Sequence, residues 1–477
     1  MTLKFSNRLY FILVNLIAFL LVFLNKENGF FWDTIQLASE HGNFYYSNNF
    51  SHLLLPIDID SGHIPAFGMY IALVWKIFGK SIEVSHLAML PFALGIVWQI
   101  NNLCRRFVPE KYVGIALLLV FIDASLMSQI TLVSPDVPLM FFFLLALNSV
   151  LKNNRTLITV GVFCLFLTSM RGMMLSVCLV LIDVYSNIGY QNLLKSEKIK
   201  VLLKRSLLYL PALVLFISFS VYHYYEKGWI GFHKDSPWAD CFERVDFKGF
   251  LFNIGFLGWR ILDFGRVGVW IVFLWLIIKY KSQIIKDKKN SILFFSFLII
   301  LFLLPLNMLW AKNLMGVRYL MPIYILFSLL TASILFSDFV ASKLKNILIA
   351  IWLLIILSGN FWITPPKISK GWDATLAHLP YYKLRLQAID YLDNEKIDFK
   401  DVDSFFPNYY SLEDIDLSND KRLFNNYTIG NNSKYIFYSN IFNVDDEVYD
   451  YMMANYIAVK EFKKNGVYIL LMKKISG

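Results

Sequence analysis

The sequence predicts a polytopic α-helical membrane protein with about eleven transmembrane helices and a C-terminal soluble α/β domain. The first observation is composition: of 477 residues, 57% are hydrophobic and 17% are charged, and the mean hydropathy is +0.53. Soluble proteins are about 45–50% apolar and about 25% charged. The second observation is a series of long apolar runs that ends near Pro365, after which Asp, Asn, Lys and Tyr become frequent. Together they exclude a compact soluble enzyme, a coiled coil and a disordered chain.

The basic residues and the cysteines exclude two further classes. The formal net charge is +10 and the pI is near 9.1, but Lys and Arg lie in segments between apolar runs, as cytoplasmic loops require. We therefore expect no nucleic-acid partner. The cysteines show no CxxC spacing and two of them lie inside apolar runs, so neither a disulfide framework nor a zinc site is expected. They are Cys104, Cys164, Cys178 and Cys241.

The apolar runs define the predicted membrane spans, because a helix needs about 20 apolar residues to cross the bilayer core. The first run follows Lys4 and Arg8 but precedes no small-residue cleavage site, so we expect a retained helix and not a signal peptide. The run Ile64–Phe78 is short and opens with Pro65, so spanning the membrane and lying along its interface both stay open. The predicted spans are Leu9–Leu24, Val84–Ile100, Val113–Ile130, Val137–Leu151, Leu157–Met170, Met173–Tyr185, Leu207–Tyr222, Leu257–Ile278, Ile292–Leu309, Tyr319–Phe336 and Ile347–Phe361.

The distribution of Lys and Arg predicts the orientation of these spans, since short cytoplasmic loops are enriched in both. Every alternate loop is basic, whereas the opposite loops are poor in Lys and Arg. An N-terminus inside the cell and an odd number of spans then place the C-terminal region outside. The basic groups are Lys4/Arg8, Arg105/Arg106/Lys111, Lys152/Arg155, Lys195/Lys198/Lys200/Lys204/Arg205, Lys279/Lys281/Lys286/Lys288/Lys289 and Lys343/Lys345.

The chain divides into a transmembrane domain, residues 1–363, and an α/β domain outside the membrane, residues 364–477. The first contains a long outer loop, residues 25–79. Pro365-Pro366 marks the boundary, because the residue before a proline is disfavoured in a helix. Beyond it, Tyr381–Asn394 has helical spacing, Lys434–Phe442 is a predicted strand, and Tyr456–Lys473 is predicted to fold into a hairpin at Lys464-Asn465-Gly466.

Acidic residues close to a bilayer are costly, so each one is a candidate for function. Asp33 follows the aromatic run Phe30-Phe31-Trp32, which predicts a position at the membrane interface. A carboxylate there can act as the general base on a hydroxyl group. The alternative is an ordinary loop aspartate behind an aromatic belt.

The segment Asp58–Pro65 contains Asp60, Gly62 and His63 immediately before an apolar run. Such a turn can present His63 and a carboxylate to a polar ligand near the lipid headgroups. The alternative is a helix entry, with Ser61 as N-cap and Pro65 in the first turn.

Two further aspartates lie at or inside predicted spans. Asp136, in Ser134-Pro135-Asp136-Val137-Pro138, opens a span, where it either caps the helix or serves a site. Asp123 lies inside Val113–Ile130 and is expected to face the bundle interior or a partner.

Four arginines occupy the predicted outer face, which the distribution of basic residues disfavours. They are Arg171, Arg260, Arg266 and Arg318. Because arginine binds phosphate bidentately, their position beside acidic residues indicates a phosphate-bearing lipid headgroup. The alternative for each is a snorkelling or helix-pairing arginine.

These pieces, in this order, resemble polytopic glycosyltransferases that use lipid-phosphate sugars, the GT-C fold class. The chain is most similar to bacterial relatives of protein O-mannosyltransferases and of lipid A aminoarabinose transferase. The resemblance covers nearly the whole chain and rests on Asp33 after the first span, the Asp60–Pro65 turn, Ser-Pro-Asp-Val-Pro-Leu at Asp136, Arg171-Gly172, and Arg318-Tyr319-Leu320-Met321-Pro322.

The resemblance implies an inverting hexosyl- or pentosyltransferase whose donor is a sugar on polyprenyl phosphate, with its site at the outer leaflet. It also implies a location in a bacterial inner membrane, with the C-terminal domain in the periplasm. Asp33 corresponds to the catalytic base, and His63 and Pro65 to the turn that approaches the donor phosphate. Asp136 corresponds to an acidic position near the acceptor, and Arg171 to a basic position at the end of a span. Asp60, His63, Asp136, Arg171 and Arg318 are the expected substrate-binding residues.

The chain also departs from these relatives. They often carry Asp-Glu where this chain has Asp33-Thr34, and His-Pro-Pro or Lys-Pro-Pro where it has His63-Ile64-Pro65. These differences bear on the type of acceptor more than on the reaction. We expect no metal and no cofactor besides the donor, with membrane lipids and an acceptor lipid, glycan or protein as partners.

Two alternatives belong to other functional classes. A transporter or flippase for lipid-linked glycans uses arginines for headgroups but needs no base, and it is expected to carry charges in several spans, which few spans here do. A scaffold whose soluble domain recognises partners is the second. Loss of turnover on removal of Asp33, with expression intact, separates an enzyme from both.

Overall fold

The structure is a computed structural model that describes residues 6–189, 196–231, 233, 239, 242–313, 315–365, 367, 371–431 and 433–475. Cys241 and Lys195 lie outside these residues. The chain is mostly helical, and a small sheet forms near its C-terminus. The helices of the N-terminal part are α1 (Asn7–Phe23), α2 (His41–Ser47), α3 (Ala66–Phe78), α4 (Ile82–Leu87), α5 (Leu90–Phe107), α6 (Val113–Phe121), α7 (Ala124–Ile130), α8 (Asp136–Lys152), α9 (Arg155–Thr168), α10 (Met170–Asp183), α11 (Ser196–Ser206), α12 (Leu210–Lys227), α13 (Phe247–Leu262), α14 (Arg266–Lys286), α15 (Lys288–Leu303), α16 (Met321–Leu335) and α17 (Ser342–Ser358).

The helical part has the apolar helices that a membrane protein requires. Among the described residues, six helices are long and apolar enough to cross a bilayer, and there are eight if each of two bent pairs forms one span. Three shorter apolar helices, α1, α3 and α9, add to these. The eleven spans of the sequence therefore stay a prediction, because several of the corresponding helices are shorter than a bilayer core.

Two predicted spans are wrong in their boundaries. Val113–Ile130 is not continuous: α6 and α7 meet at an angle of 72°. Asp123 causes the break, because its carboxylate accepts hydrogen bonds from the backbone N–H groups of Ser125 and Leu126 and so starts a new helix. Leu257–Ile278 also combines two helices, since α13 ends at Leu262 and α14 begins at Arg266.

Helix α3 corresponds to the run Ile64–Phe78, for which the sequence leaves open whether it spans the membrane or lies along the interface. Its 13 residues rise about 20 Å, which is less than the ~30 Å core of a bilayer. Phe67, Ile71 and Trp75 are buried on one face, while Ile77 and Phe78 are exposed. The length and the one-sided burial favour a helix that lies along the interface. Ser61 does not cap α3, because Pro65 occupies the N-cap position.

The C-terminal region contains a five-stranded sheet of order β2-β1-β3-β5-β4. Strand β1 pairs in parallel with both β2 and β3, and β5 pairs antiparallel with both β3 and β4. The predicted helix and the predicted hairpin are confirmed by α18, β4 and β5, with Asn465 and Gly466 at positive φ in the hairpin turn. The elements are α18 (Pro380–Asn394), β1 (Val402–Ser404), α19 (Leu412–Asp416), β2 (Asn425–Asn426), β3 (Tyr435–Ser439), α20 (Asp446–Asn455), β4 (Tyr456–Lys464) and β5 (Val467–Lys474).

The core of this C-terminal region also includes residues from the first outer loop. Phe31 and Trp32 are 1% and 6% exposed, and they belong to the same hydrophobic cluster as α18 and β3. The ring of Phe31 stacks on His378 at 5.2 Å, and Trp32 packs edge-on against Phe406 at 5.3 Å. The aromatic run before Asp33 is thus buried in protein, which disfavours the alternative of an aromatic belt, while the position of Asp33 at the membrane interface stays a prediction.

Candidate functional site

A cavity of about 220 Å³ lies between the ends of several apolar helices and the C-terminal region. Its walls come from the first outer loop, the turn before α8, the turn between α9 and α10, the segment before α16, Phe242 and Asp373. Each of these segments follows or precedes a span on the side that the basic loops predict to be outside. Five of the six residues proposed from sequence line this cavity: Asp33, His63, Asp136, Arg171 and Arg318.

Arg318 stands at the centre of the charged wall. Its guanidinium forms ion pairs with three carboxylates: Nη2 with Asp33, Nη1 with Asp373, and Nε with Asp136 at 3.0 Å. The Arg318 side chain is 12% exposed. A guanidinium presents its N–H groups at three corners in one plane, and here each corner faces a different carboxylate. No one carboxylate therefore receives the bidentate grip that arginine gives in a simple pair.

Arg171 forms the second cationic contact of the wall. Nη1 pairs with Asp136, and the guanidinium lies 4.1 Å from the ring centre of Tyr319, a cation–π distance. The turn that presents Arg171 is formed by Ser169, the N-cap of α10, whose hydroxyl accepts a hydrogen bond from the Gly172 N–H. A side chain at Gly172 would meet the backbone carbonyl of Leu165, so only glycine allows the close crossing of α9 and α10.

Asp136 does not cap α8, because Pro135 holds the N-cap position. Its carboxylate instead joins Arg171 to Arg318, and the residue is 1% exposed. A buried carboxylate is stable only when it is paired, and two arginines supply that pairing here. Asp136 thus fixes the spacing of the two guanidinium groups.

Asp33 reaches the cavity from a short constrained turn. Trp32 has a φ of +55°, a left-handed conformation that aromatic side chains rarely adopt, and the Thr34 hydroxyl donates to the Phe31 carbonyl at 2.8 Å. Burial raises the pKa of Asp33, Arg318 lowers it, and the carboxylates of Asp373 and Asp136 raise it further, with a net upward shift. A raised pKa makes a carboxylate a better proton acceptor than a solvated aspartate.

His63 is presented by the turn that begins at Asp60. The Asp60 carboxylate accepts a hydrogen bond from the Gly62 N–H at 2.8 Å, and Gly62 has a φ of +73°, which the absence of a side chain permits. Burial lowers the pKa of His63, so the ring is neutral at physiological pH. Its Nδ1–H donates to the Ser61 carbonyl at 3.2 Å, which leaves Nε2 as the acceptor of the neutral ring.

Asp60 is the one proposed site residue that does not line the cavity. It is 3% exposed, and its second oxygen lies 3.0 Å from Nε2 of His223 on α12. His223 donates from Nδ1 to the Trp229 carbonyl at 2.9 Å. Both nitrogens of His223 therefore face acceptors, and the Asp60–His223 pair ties the His63 turn to the end of α12.

Asp373 and Tyr319 are cavity residues to which the sequence analysis assigned no role. Tyr319 follows Arg318 directly, and its ring packs against both arginines. Asp373 lies just beyond the predicted domain boundary, in Gly371-Trp372-Asp373, and no local pattern marks it. Only its contact with Arg318 reveals it.

The remaining outer-face arginines, Arg260 and Arg266, do not line the cavity. Arg266 pairs with Asp123 at 2.8 Å, donates to the Ser125 hydroxyl at 2.6 Å and stacks on Tyr324. Arg260 pairs with Asp263 and packs on Phe256. For Arg266, helix pairing, the alternative considered from sequence, is the observed role, whereas these contacts of Arg260 lie within its own helix and its C-cap.

The cavity combines a carboxylate whose pKa is raised, two guanidinium groups and a neutral imidazole. Asp33 can accept a proton, and Arg318 and Arg171 can balance the charge of an anionic group once it displaces carboxylate contacts. Among the described residues, no three His, Cys, Asp or Glu side chains are grouped as a metal site. The expectation of a metal-free site stays a prediction.

Comparison with known proteins gives no relative. The chain matches no family model, no curated protein and no solved structure. The functional assignment therefore depends on the residues of the cavity and on their chemistry.

Proposed function

We propose that the protein is an inverting glycosyltransferase that moves a sugar from a polyprenyl-phosphate carrier to an acceptor hydroxyl. The observation that carries the proposal is the meeting of Asp33, His63, Asp136, Arg171 and Arg318 in one cavity. These residues are up to 285 positions apart in sequence, and each was selected for a role in the same reaction. A chance collection of loop and helix-pairing residues is not expected to converge on one cavity.

The reaction assigns a distinct task to each group. Asp33 removes the proton from the acceptor hydroxyl as its oxygen attacks the anomeric carbon. The bond from that carbon to the phosphate oxygen breaks, and polyprenyl phosphate leaves with the electron pair. Because the lipid phosphate is already a leaving group, no nucleotide is needed. Arg171 and Arg318 stabilise the negative charge that develops on the phosphate.

The proposed location is the outer face of a bacterial inner membrane. The cavity-lining segments all belong to the basic-poor side of the predicted topology, which supports a periplasmic site. The exposed apolar face of α3 lies next to the segment that carries His63, so a donor with its chain in the outer leaflet has its phosphate near the cavity. The site gives no preference among lipid, glycan and protein acceptors.

Turnover of the purified protein in nanodiscs tests the proposal, with release of labelled sugar from a polyprenyl-phosphate donor as the readout. Asp33→Asn should lower the rate by about a hundred- to ten-thousand-fold, the range typical of general base catalysis. Asp390→Asn is the matched control, because Asp390 is exposed on α18 and remote from the charged wall.

Two outcomes would overturn the assignment. If Asp33→Asn keeps more than about a tenth of the wild-type rate, far above the loss expected for a general base, another residue is the base, and Asp136 is the next to test. If the wild type moves the labelled lipid between leaflets without releasing sugar, the transporter alternative is correct.

A further inference from the structure

The segment Gly371–Thr375 brings the C-terminal region into the cavity. Three side chains of α7 hold its backbone. The Ser128 hydroxyl lies 2.6 Å from the Asp373 carbonyl and 3.1 Å from that of Thr375, and Gln129 Nε2 donates to Asp373 at 2.9 Å. The Ser125 hydroxyl lies 3.2 Å from the Ala374 carbonyl. Because these backbone contacts fix the segment, they also fix where the Asp373 side chain points.

The polar side chains of α7 that contact the backbone of Gly371–Thr375 are buried. Ser125, Ser128 and Gln129 are at most 1% exposed. Gln129 is itself oriented by the Ser134 hydroxyl, which donates to its Oε1 at 2.6 Å. A buried polar group costs about 1–3 kcal/mol when it is left unpaired, so the docked segment stabilises α7 by pairing these side chains.

The same region also holds the turn of Asp33. His378 stacks on Phe31, two residues before Asp33, and the ring planes differ by 10°. Trp372 shares a hydrophobic cluster with Phe31 and Trp32. The two carboxylates that contact Nη1 and Nη2 of Arg318 are therefore positioned by one packed unit.

We propose that Asp373 is a positioning residue for the base, through which the C-terminal domain completes the catalytic unit. Asp373 occupies Nη1 of Arg318, so Arg318 cannot turn its Nη1–Nη2 edge into a bidentate pair with Asp33. A bidentate pair would hold the Asp33 carboxylate tightly and reduce its ability to accept a proton. This inference rests on the proposed function, since it assigns Asp33 as the base.

The negative charge of Asp373, like its position on Arg318, favours proton acceptance by Asp33. The nearby carboxylate raises the pKa of Asp33, whereas Arg318 lowers it. Removal of the negative charge at position 373 should lower the Asp33 pKa and strengthen its contact with Arg318. Both effects make Asp33 a weaker base.

The test compares Asp373→Asn with the wild type and with the control Asp390→Asn, in full-length protein in nanodiscs. We expect kcat to fall about tenfold or more, consistent with a base weakened but still present, while KM for the donor changes little. The acid limb of the rate profile should move to lower pH, because Asp33 then ionises at lower pH. Asp373→Glu keeps the charge and should retain the wild-type acid limb.

A second measurement does not depend on activity. Since the Asp33 pKa is raised by folding, the thermal midpoint should fall as pH rises from about 4, the ordinary carboxyl pKa. Asp373→Asn should end this fall at a lower pH, and its effect should be smaller in an Asp33→Asn background. An equal effect in both backgrounds, or an unchanged acid limb in active Asp373→Asn protein, would refute the role of Asp373. Absence of sugar transfer by the wild type would instead refute the proposed function.

If Asp373→Asn does not fold, Asp373→Glu decides the question. The lengthened side chain on a fixed backbone should lower kcat but leave the acid limb in place. Wild-type kcat in this variant would mean that the position of the carboxylate is unimportant and would overturn the inference.

Discussion

At the scale of single residues, Arg318 and Asp136 each contact more than one charged partner. Arg318 divides its guanidinium among Asp33, Asp136 and Asp373, and Asp136 divides its carboxylate between Arg318 and Arg171. A cluster of three carboxylates and two guanidinium groups contains one more negative than positive charge when all are ionised. A bound phosphate would have to displace carboxylate contacts, and the loosely shared Arg318 permits this at lower cost than a bidentate pair would.

Arg171 provides a direct test of phosphate binding. Arg171→Ala removes one charge-assisted contact, commonly about 1.5–3 kcal/mol, so kcat/KM for the donor should fall about 10- to 100-fold. Acceptor dependence should change less, and Arg171→Lys should restore only part of the loss because lysine lacks the planar fork. The measurement is initial rate against donor and acceptor concentration.

Arg105→Ala is the matched control, since Arg105 is exposed and its pair with Glu110 is 3.4 Å long. A donor dependence unchanged in Arg171→Ala would assign Arg171 to structure. In that case Asp136 would still keep its partner at 3.0 Å, Arg318.

The Asp60–His223 pair supports a prediction about stability. His223→Ala leaves the Asp60 carboxylate buried without its partner, and breaking a buried ion pair typically costs about 3–5 kcal/mol. Asp60→Asn combined with His223→Ala should cost less than His223→Ala alone, because no unpaired charge remains. Thermal unfolding in detergent, followed by tryptophan fluorescence, measures both. Exposed His52 supplies the control His52→Ala; strictly additive losses would show that the two side chains do not interact.

At the scale of elements, broken helices position the site. α7 is the polar half of a bent pair, and the bend at Asp123 turns Ser125, Ser128 and Gln129 toward the C-terminal segment. A π-helical turn, Ile35–Glu40, likewise follows Asp33 and leads into α2. In a membrane protein, irregular backbone is tolerated where it is buried in protein or lines a cavity, and both breaks adjoin the cavity or the C-terminal region.

Glu40, the last residue of the π-helical turn, is predicted to make the stability of the fold depend on pH. Burial raises the pKa of Glu40 to about 8, with further increases from Asp414 and Asp58. A carboxyl whose pKa is raised by folding stabilises the fold in its protonated form, so stability should fall as pH rises from about 4.5 toward 8. Glu40→Gln, which is always neutral, should raise the thermal midpoint at pH 8–9 relative to wild type and have little effect near pH 4. Equal midpoints for both proteins at pH 9 would contradict this assignment.

At the scale of the whole molecule, the membrane part and the C-terminal region form one site. Phe31 and Trp32 enter the core of the C-terminal region, and Asp373 returns from that region to Arg318. These contacts run in both directions, so removal of the C-terminal region should disturb Asp33 even though Asp33 lies near the N-terminus. A separate partner-recognition module would not require such contacts.

The orientation of the whole molecule is directly testable. The alternation of basic loops predicts that Gly477 is outside and Lys198 inside. A reporter that is active only in the periplasm should therefore work when fused at Gly477 and fail near Lys198, while a cytoplasmic reporter should give the reverse. Periplasmic activity at Lys198 with none at Gly477 would place the cavity on the cytoplasmic side and end the outer-face mechanism.

The sequence by itself determined the membrane class, the C-terminal hairpin and five of the residues that line the cavity. Hydropathy and strand alternation are local signals. A segment buried in lipid is apolar along its length, and a strand buried on one face is apolar at every second residue. Asp33, Asp136 and Arg171 were found because charged residues at a membrane boundary need a reason that the sequence itself makes visible.

Only the tertiary structure decided which charges meet. Asp123, Asp136 and Asp60 look alike in sequence, yet Asp123 caps α7 and pairs with Arg266, Asp136 lines the cavity, and Asp60 pairs with His223. Asp373 and the burial of Phe31 were likewise invisible, because ion pairs and core contacts between residues far apart in sequence depend on chain topology. The physical reason is that a charged residue beside an apolar run is recognisable from the sequence, because its burial is unfavourable without a partner. Which residue becomes that partner depends on packing in three dimensions.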